Sequence, residues 1–137
     1  METMTARHIA VQRSRPGLGR GLFAARDMEK GNFIVEYSGR RIASKYADTL
    51  STRYLFELDD EWTIDGSSRA NVARYINHSC VPNAEGIVLD GRVLIHAARD
   101  IRADEEITID YGDEYFDEFI KPLGCKCERC AIPIAHR

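Results

Sequence analysis

At 137 residues, the chain has the length of one domain and enough material to bury roughly two thirds of its unfolded surface. Its 44% hydrophobic and 30% charged residues are too apolar a mixture for a disordered protein, and no apolar run approaches the roughly 20 residues that span a bilayer. A net charge of −3 argues against a nucleic-acid partner, which wants a clustered excess of Lys and Arg. The lack of an apolar signal core behind Met1 predicts an intracellular protein with no membrane partner.

In chain order, short strands broken by Gly and Pro dominate, which predicts a mostly β domain with short helices. His8 to Gln12 alternates as a strand, and Leu22 to Ala25 resumes extended chain after the turn Ser14-Arg15-Pro16-Gly17-Leu18-Gly19-Arg20-Gly21. Asp27 to Gly31 is a turn feeding Phe33-Ile34-Val35-Glu36-Tyr37, β-branched and aromatic enough for a strand that Gly39 closes. From Arg41 to Leu50, the spacing of Ile42, Tyr46 and Leu50, with Ala43 and Ala47 beside them, predicts about three turns of amphipathic helix. Tyr54 to Leu58 and Trp62 to Ile64 predict a hairpin across Asp59-Asp60-Glu61, and Ala70 to Ile76 predicts one or two helical turns. Ile87 to Leu89 and Val93 to Ala97 flank Asp90-Gly91, a two-residue hairpin signal. Ile107 to Ile109 is the last strand, leading to Tyr111. There is no repeat or low-complexity linker, so the chain reads as one domain over residues 1–119 with a cysteine-bearing tail over 120–137.

Two segments are hard to explain as core. Arg74-Tyr75-Ile76-Asn77-His78-Ser79-Cys80-Val81-Pro82-Asn83 runs from a short apolar lead into polar and small groups, then a proline that bars helix continuation. That is the composition of a binding loop. Glu105-Glu106-Ile107-Thr108-Ile109-Asp110-Tyr111-Gly112 is the second segment. On residue type alone, His78 fits a satisfied structural residue, a general base or a metal ligand, while Tyr37 and Tyr54 fit buried strand tyrosines. The glycine turn is not the dinucleotide-binding GxGxxG, because its spacing differs and strand follows it. The acidic runs Asp59-Asp60-Glu61, Asp104-Glu105-Glu106 and Asp113-Glu114 with Asp117-Glu118 fit either a solvated face or a surface that steers a basic peptide.

Together the two segments resemble the RFxNHSCxPN and GEELTxDY signatures of SET-domain protein-lysine methyltransferases. The glycine turn resembles the family's GxGLF motif, Glu36-Tyr37-Ser38-Gly39 its EYxG element, and Tyr54-Leu55-Phe56 the region of an aromatic that contacts the cofactor. The resemblance runs from about Ala10 to Cys130. It implies a SET-domain (β-clip) fold of several small sheets with a knot-like C-terminal crossing. It also implies methyl transfer from S-adenosylmethionine (AdoMet) to a lysine of a protein substrate, a histone tail being the family's commonest target. Localisation would then be cytoplasmic, or nuclear and chromatin-associated if the protein is eukaryotic or acts in a host. By the same resemblance Gly19, Arg20, Gly21, Leu22, Tyr54, Arg74, Asn77 and His78 would contact the cofactor, with Arg20 a partner for its carboxylate. Tyr111 and Tyr37 would be catalytic, and Tyr37 would border the lysine channel. A tyrosine hydroxyl suits this chemistry because in-line displacement at a sulfonium methyl asks for orientation and charge stabilisation more than for strong basicity.

The chain departs from the family at Ile109, where Phe or Tyr often helps set the number of methyl groups added. Loss of that hydroxyl leaves room for a methylated amine and predicts di- or trimethylation, with Tyr115 a candidate to refill the channel wall beside Ile109. A catalytically silent SET module that binds a peptide or partner protein is the alternative reading; loss of the Tyr or Asn would mark it, and both are present.

The cysteines are Cys80, Cys125, Cys127 and Cys130. Their chemistry admits a disulfide, free thiols or a structural zinc ion, for which four thiolates form a tetrahedral set. The resemblance favours zinc, because a post-SET tail supplies three cysteines that share the metal with the Cys of NHSC, here Cys80. The tail spacing is two residues shorter than usual between Cys127 and Cys130.

Overall fold

The computed structural model describes residues 3–6, 8–112, 119–127 and 130. Its regular secondary structure is mostly strands, arranged in three small sheets. The first sheet contains β1 (Thr3–Ala6), β2 (Ile9–Arg13), β3 (Arg20–Ala24), β11 (Glu106–Ile109) and β8 (Asn77–His78), adjacent in that order. The second places β10 (Arg92–Ala97) between β4 (Phe33–Tyr37) and β9 (Ala84–Leu89), and the third places β7 (Trp62–Asp65) between β5 (Arg40–Ala43) and β6 (Leu55–Glu57). Among the described residues, no helix is long and apolar enough to cross a membrane.

The core follows from strand alternation. In β10, Val93, Ile95 and Ala97 are buried while the residues between them are not, as a strand with one covered face requires. Leu22, Ile34, Ile101 and Ile107 complete the centre from other elements. The predicted hairpin at Asp90-Gly91 forms, with φ of 52° and 75° at its two turn residues, the left-handed geometry that a two-residue hairpin turn demands. The hairpin of β6 and β7 and a 3-10 turn over Val72–Tyr75 also stand where the sequence placed them. Gly39 ends β4 where the chain grazes β7, because a Cβ there would meet the Asp65 carbonyl.

The helix expected from Arg41 to Leu50 is a single turn, α1 (Ser44–Ala47). Its expected first residues instead form β5, which pairs antiparallel with β7 from Arg40↔Asp65 to Ala43↔Trp62. Backbone pairing with a distant strand outweighs a weak local helix preference. The packing agrees: Tyr46, placed on the apolar stripe, is 58% exposed, and Ser44 is buried against Thr63, hydroxyl to hydroxyl at 2.8 Å.

Candidate functional site

The loop after Tyr75 is fixed to β11 by its own polar residues. β8 runs parallel to β11, with Asn77 opposite Thr108 and His78 opposite Ile109. Ser79 donates its N–H to the Ile109 carbonyl at 3.0 Å. Asn83, 2% exposed, accepts the Thr108 N–H at 2.9 Å and donates its amide to the Glu106 carbonyl at 2.7 Å. These buried side-chain bonds replace the ladder that a loop lacks, so two sequence-distant segments are held as one unit.

Tyr111 emerges from this unit. Its hydroxyl donates to the Ile76 carbonyl at 2.6 Å, and its N–H donates to His78 Nδ1 at 3.2 Å. With its proton directed at Ile76, the phenol oxygen offers acceptor lone pairs on its other side.

A cavity of about 340 Å³ opens beside Tyr111, within the usual range for small-molecule sites. Asn77, His78, Tyr54 and Arg74 line it from one side, and Phe119, Ile120, Gly124, Cys125 and Lys126 of the tail contribute another wall. Arg20, Arg53, Arg74 and Lys126 bring four cations to the lining, which contains no acidic residue among the described residues. Arg74 lies 4.3 Å above the Tyr54 ring, and its buried Nε has no hydrogen-bond partner among the described residues. A buried donor left in this state calls for a ligand acceptor. The Asn77 amide is fixed in direction: Nδ2 donates to Glu106 Oε2 at 2.8 Å and to the Arg20 carbonyl at 3.1 Å, so Oδ1 serves as an acceptor. Glu106 is itself held by the Ser14 hydroxyl at 2.6 Å. A larger cavity of about 810 Å³, lined by His8, Asp27, Phe33 and Asp100 among others, shares no residue with this site.

The tail brings its cysteines to Cys80. The four sulfurs lie within 4.8 Å of one another, with Cys80 at 3.7 Å from Cys130 and 4.0 Å from Cys125. Four thiolates at 2.3 Å around a tetrahedral zinc ion sit about 3.8 Å apart, so the donor set and spacing fit that metal. Burial and the neighbouring thiols push Cys80 well above the usual thiol range and Cys125 up to about 11. At Cys127 burial also opposes the thiolate, but main-chain N–H groups of Cys80 and Cys130 outweigh it and bring the thiol down to about 7. Zinc ligation needs thiolates, so metal uptake at pH 7 should expel protons from at least Cys80 and Cys125. Calorimetric titration in buffers of different ionisation enthalpy should show a buffer-dependent heat, and apparent zinc affinity should rise as pH is raised from 6 to 8.

Residues 19–112 match the SET domain family model. The chain belongs to the SET-domain family. Trithorax, a histone-lysine N-methyltransferase of Drosophila virilis, is 38% identical over 124 residues, 82% of this chain and 3% of that protein. Histone-lysine N-methyltransferases named as H3 lysine-4 specific are 37% identical over 120 residues in Aspergillus oryzae (78% of this chain, 10% of that protein) and 36% in Schizosaccharomyces pombe (78% and 13%). The chain thus spans 3% to 13% of the length of these curated relatives.

Within this SET domain, Arg20, Tyr54, Arg74, Asn77, His78 and Tyr111 meet at one cavity. Gly19, Gly21 and Leu22, expected to contact the cofactor, are not among its lining residues. Leu22 is fully buried, and a Cβ at Gly21 would strike Glu106 Oε2 and crowd Asn77, so that glycine is where the turn passes closest to the Asn77–Glu106 pair. Tyr37 and Ile109 are 2% and 3% exposed, belong to the core and do not line the cavity. Tyr115 lies outside the described residues. Sequence reasoning missed Ser14 and Glu106 as the pair that aims the Asn77 amide; the second glutamate of the GEELTxDY-like segment was the available signal, read only as surface charge.

The cavity fits AdoMet by its chemistry. An unpartnered Arg74 Nε among four cations suits a carboxylate, and an aimed Asn77 Oδ1 suits an ammonium group.

Proposed function

We propose that this SET domain is an AdoMet-dependent protein-lysine N-methyltransferase. The observation that carries the proposal is the convergence of Tyr111, Asn77, His78 and Arg74 on one cavity in a chain of this family. When bound, AdoMet supplies an electrophilic methyl group on a positively charged sulfur. Arg20 and Arg74 hold the carboxylate end, and Asn77, aimed by Glu106, holds the amino group. Tyr111 sets the approach of the lysine nitrogen: its oxygen accepts an N–H from the amine, turning the nitrogen lone pair toward the methyl carbon. A free lysine has a pKa near 10.4, and enclosure beside a sulfonium favours its neutral form.

The substrate we propose is a histone tail, and the names of the relatives make histone H3 lysine 4 the first site to test. Such a role would place the protein with chromatin. We propose di- or trimethylation on the sequence ground alone that position 109 carries no hydroxyl; the Ile109 side chain itself packs in the core, away from the cavity lining. We assign residues 120–137 to a post-SET-like tail whose cysteines, with Cys80, bind one structural zinc ion and pin the wall formed by Phe119 to Lys126.

Incubation with radiolabelled AdoMet and histone H3 or an H3 peptide array, followed by mass spectrometry, tests activity, site and methyl count together. Labelled di- or trimethyl-lysine is expected. AdoMet binding by calorimetry without transfer to any lysine would favour a silent binding module, and monomethyl product alone after long reaction would overturn the multiplicity.

A further inference from the structure

His78 uses its two ring nitrogens on parts of the site that lie far apart in sequence. Nδ1 is 3.2 Å from the Tyr111 main-chain nitrogen, and Nε2 is 3.5 Å from Cys80 Sγ. A main-chain N–H only donates, so Nδ1 must be the bare, accepting nitrogen, and the ring proton resides on Nε2. That proton faces the Cys80 sulfur. Asp110 Oδ1 also stands 3.8 Å from Nδ1, but it accepts the Gly112 N–H at 2.8 Å and so shapes the turn after Tyr111. The imidazole is 6% exposed, so packing fixes its orientation.

We propose that His78 is a positioning residue that ties the cysteine cluster to Tyr111, one ring nitrogen holding the Cys80 sulfur and the other holding the Tyr111 backbone. The inference rests on the zinc reading of the four cysteines and goes beyond cofactor contact. Its physical content is twofold. An N–H directed at a thiolate ligand stabilises the charge that zinc binding needs, as groups around a metal's ligands commonly do. The same ring supplies the acceptor that sets where Tyr111 leaves β11, and hence where its hydroxyl stands above the cavity. Order in the cysteine cluster is thereby passed to the catalytic tyrosine through one side chain.

Two substitutions separate the halves of the ring. His78→Asn places a carbonyl oxygen near the Nδ1 position but cannot reach Cys80, whereas His78→Gln places an N–H donor near Nε2 and removes the acceptor for Tyr111. In the full chain, zinc affinity is measured by competition with a chromogenic chelator, and cobalt(II) is the spectroscopic probe of the thiolates. His78→Asn should weaken zinc binding by about 10–100-fold and shift the cobalt–thiolate charge-transfer band, while His78→Gln keeps both near wild type. At saturating zinc and AdoMet, His78→Gln should lower kcat for an H3 peptide with little change in KM. Unchanged zinc affinity in His78→Asn overturns the tie to Cys80, and unchanged kcat in His78→Gln overturns the tie to Tyr111. Wild-type protein that binds no zinc would overturn the cysteine reading itself, an outcome distinct from both.

Discussion

Tyr111→Phe is expected to reduce kcat for lysine methylation by about 100–1,000-fold, the usual consequence of deleting one preorganised polar group aimed at the reacting centre. The phenylalanine ring keeps the packing of the tyrosine, and the cations and Asn77 of the cavity lining, proposed to hold AdoMet, are untouched, so AdoMet affinity should change by less than about tenfold, or about 1.4 kcal/mol. A second cost follows from the same atom. The hydroxyl is the donor to the carbonyl of Ile76, a residue only 2% exposed, and stranding that acceptor should lower stability by about 1–3 kcal/mol. Single-turnover kinetics, calorimetry with AdoMet and urea denaturation separate the three effects. Turnover close to wild type would remove Tyr111 from the catalytic role.

Cys80→Ser should release the metal and open the cavity together. Cys80 is the one cysteine outside the tail, so its sulfur joins the loop of Asn77 and His78 to Cys125, Cys127 and Cys130. Losing it removes one of the four sulfurs proposed to hold zinc, and with it the tie between loop and tail, in a single step. Metal affinity should fall by more than about 100-fold, beyond what outer-shell changes cost, and measured zinc content should drop from stoichiometric to background. Because Phe119, Ile120, Gly124, Cys125 and Lys126 wall the cavity, AdoMet binding should weaken as well, and chelation of the wild-type protein should reproduce both losses. A Cys80→Ser protein that retains zinc and cofactor affinity would show that the cysteines are structurally idle.

The parts of the molecule around Tyr111 and Cys80 differ in how legible they are in the sequence. The strands were readable where the apolar pattern is local: β4, the hairpin at Asp90-Gly91 and the stretch leading to Tyr111 carry their own β-branched residues and turn chemistry. The segment from Arg41 to Leu50 misled because its spacing of Ile42, Tyr46 and Leu50 satisfies a helix, whereas its backbone is claimed by β7. No window of ten residues contains that partner. Short elements suffered likewise. β8 consists of Asn77 and His78 alone, too brief for periodicity, and exists because β11 is beside it.

The amino-acid sequence by itself determined which groups are candidates for the chemistry. The loop around Asn77 and His78, Tyr111 at the end of the last strand, and three tail cysteines with Cys80 are residue types whose reactivity is local, and their spacing pointed to one family. Only the tertiary structure decided how they are aimed. Parallel pairing of β8 with β11 sets His78 between Cys80 and Tyr111, and the Ser14–Glu106–Asn77 chain of hydrogen bonds fixes the orientation of an amide on the cavity lining. It also buried Tyr37 and Ile109 in the core. The reason is physical: the identity of a donor or ligand is carried by one residue, but its direction depends on partners brought close by the burial of strands distant in the chain.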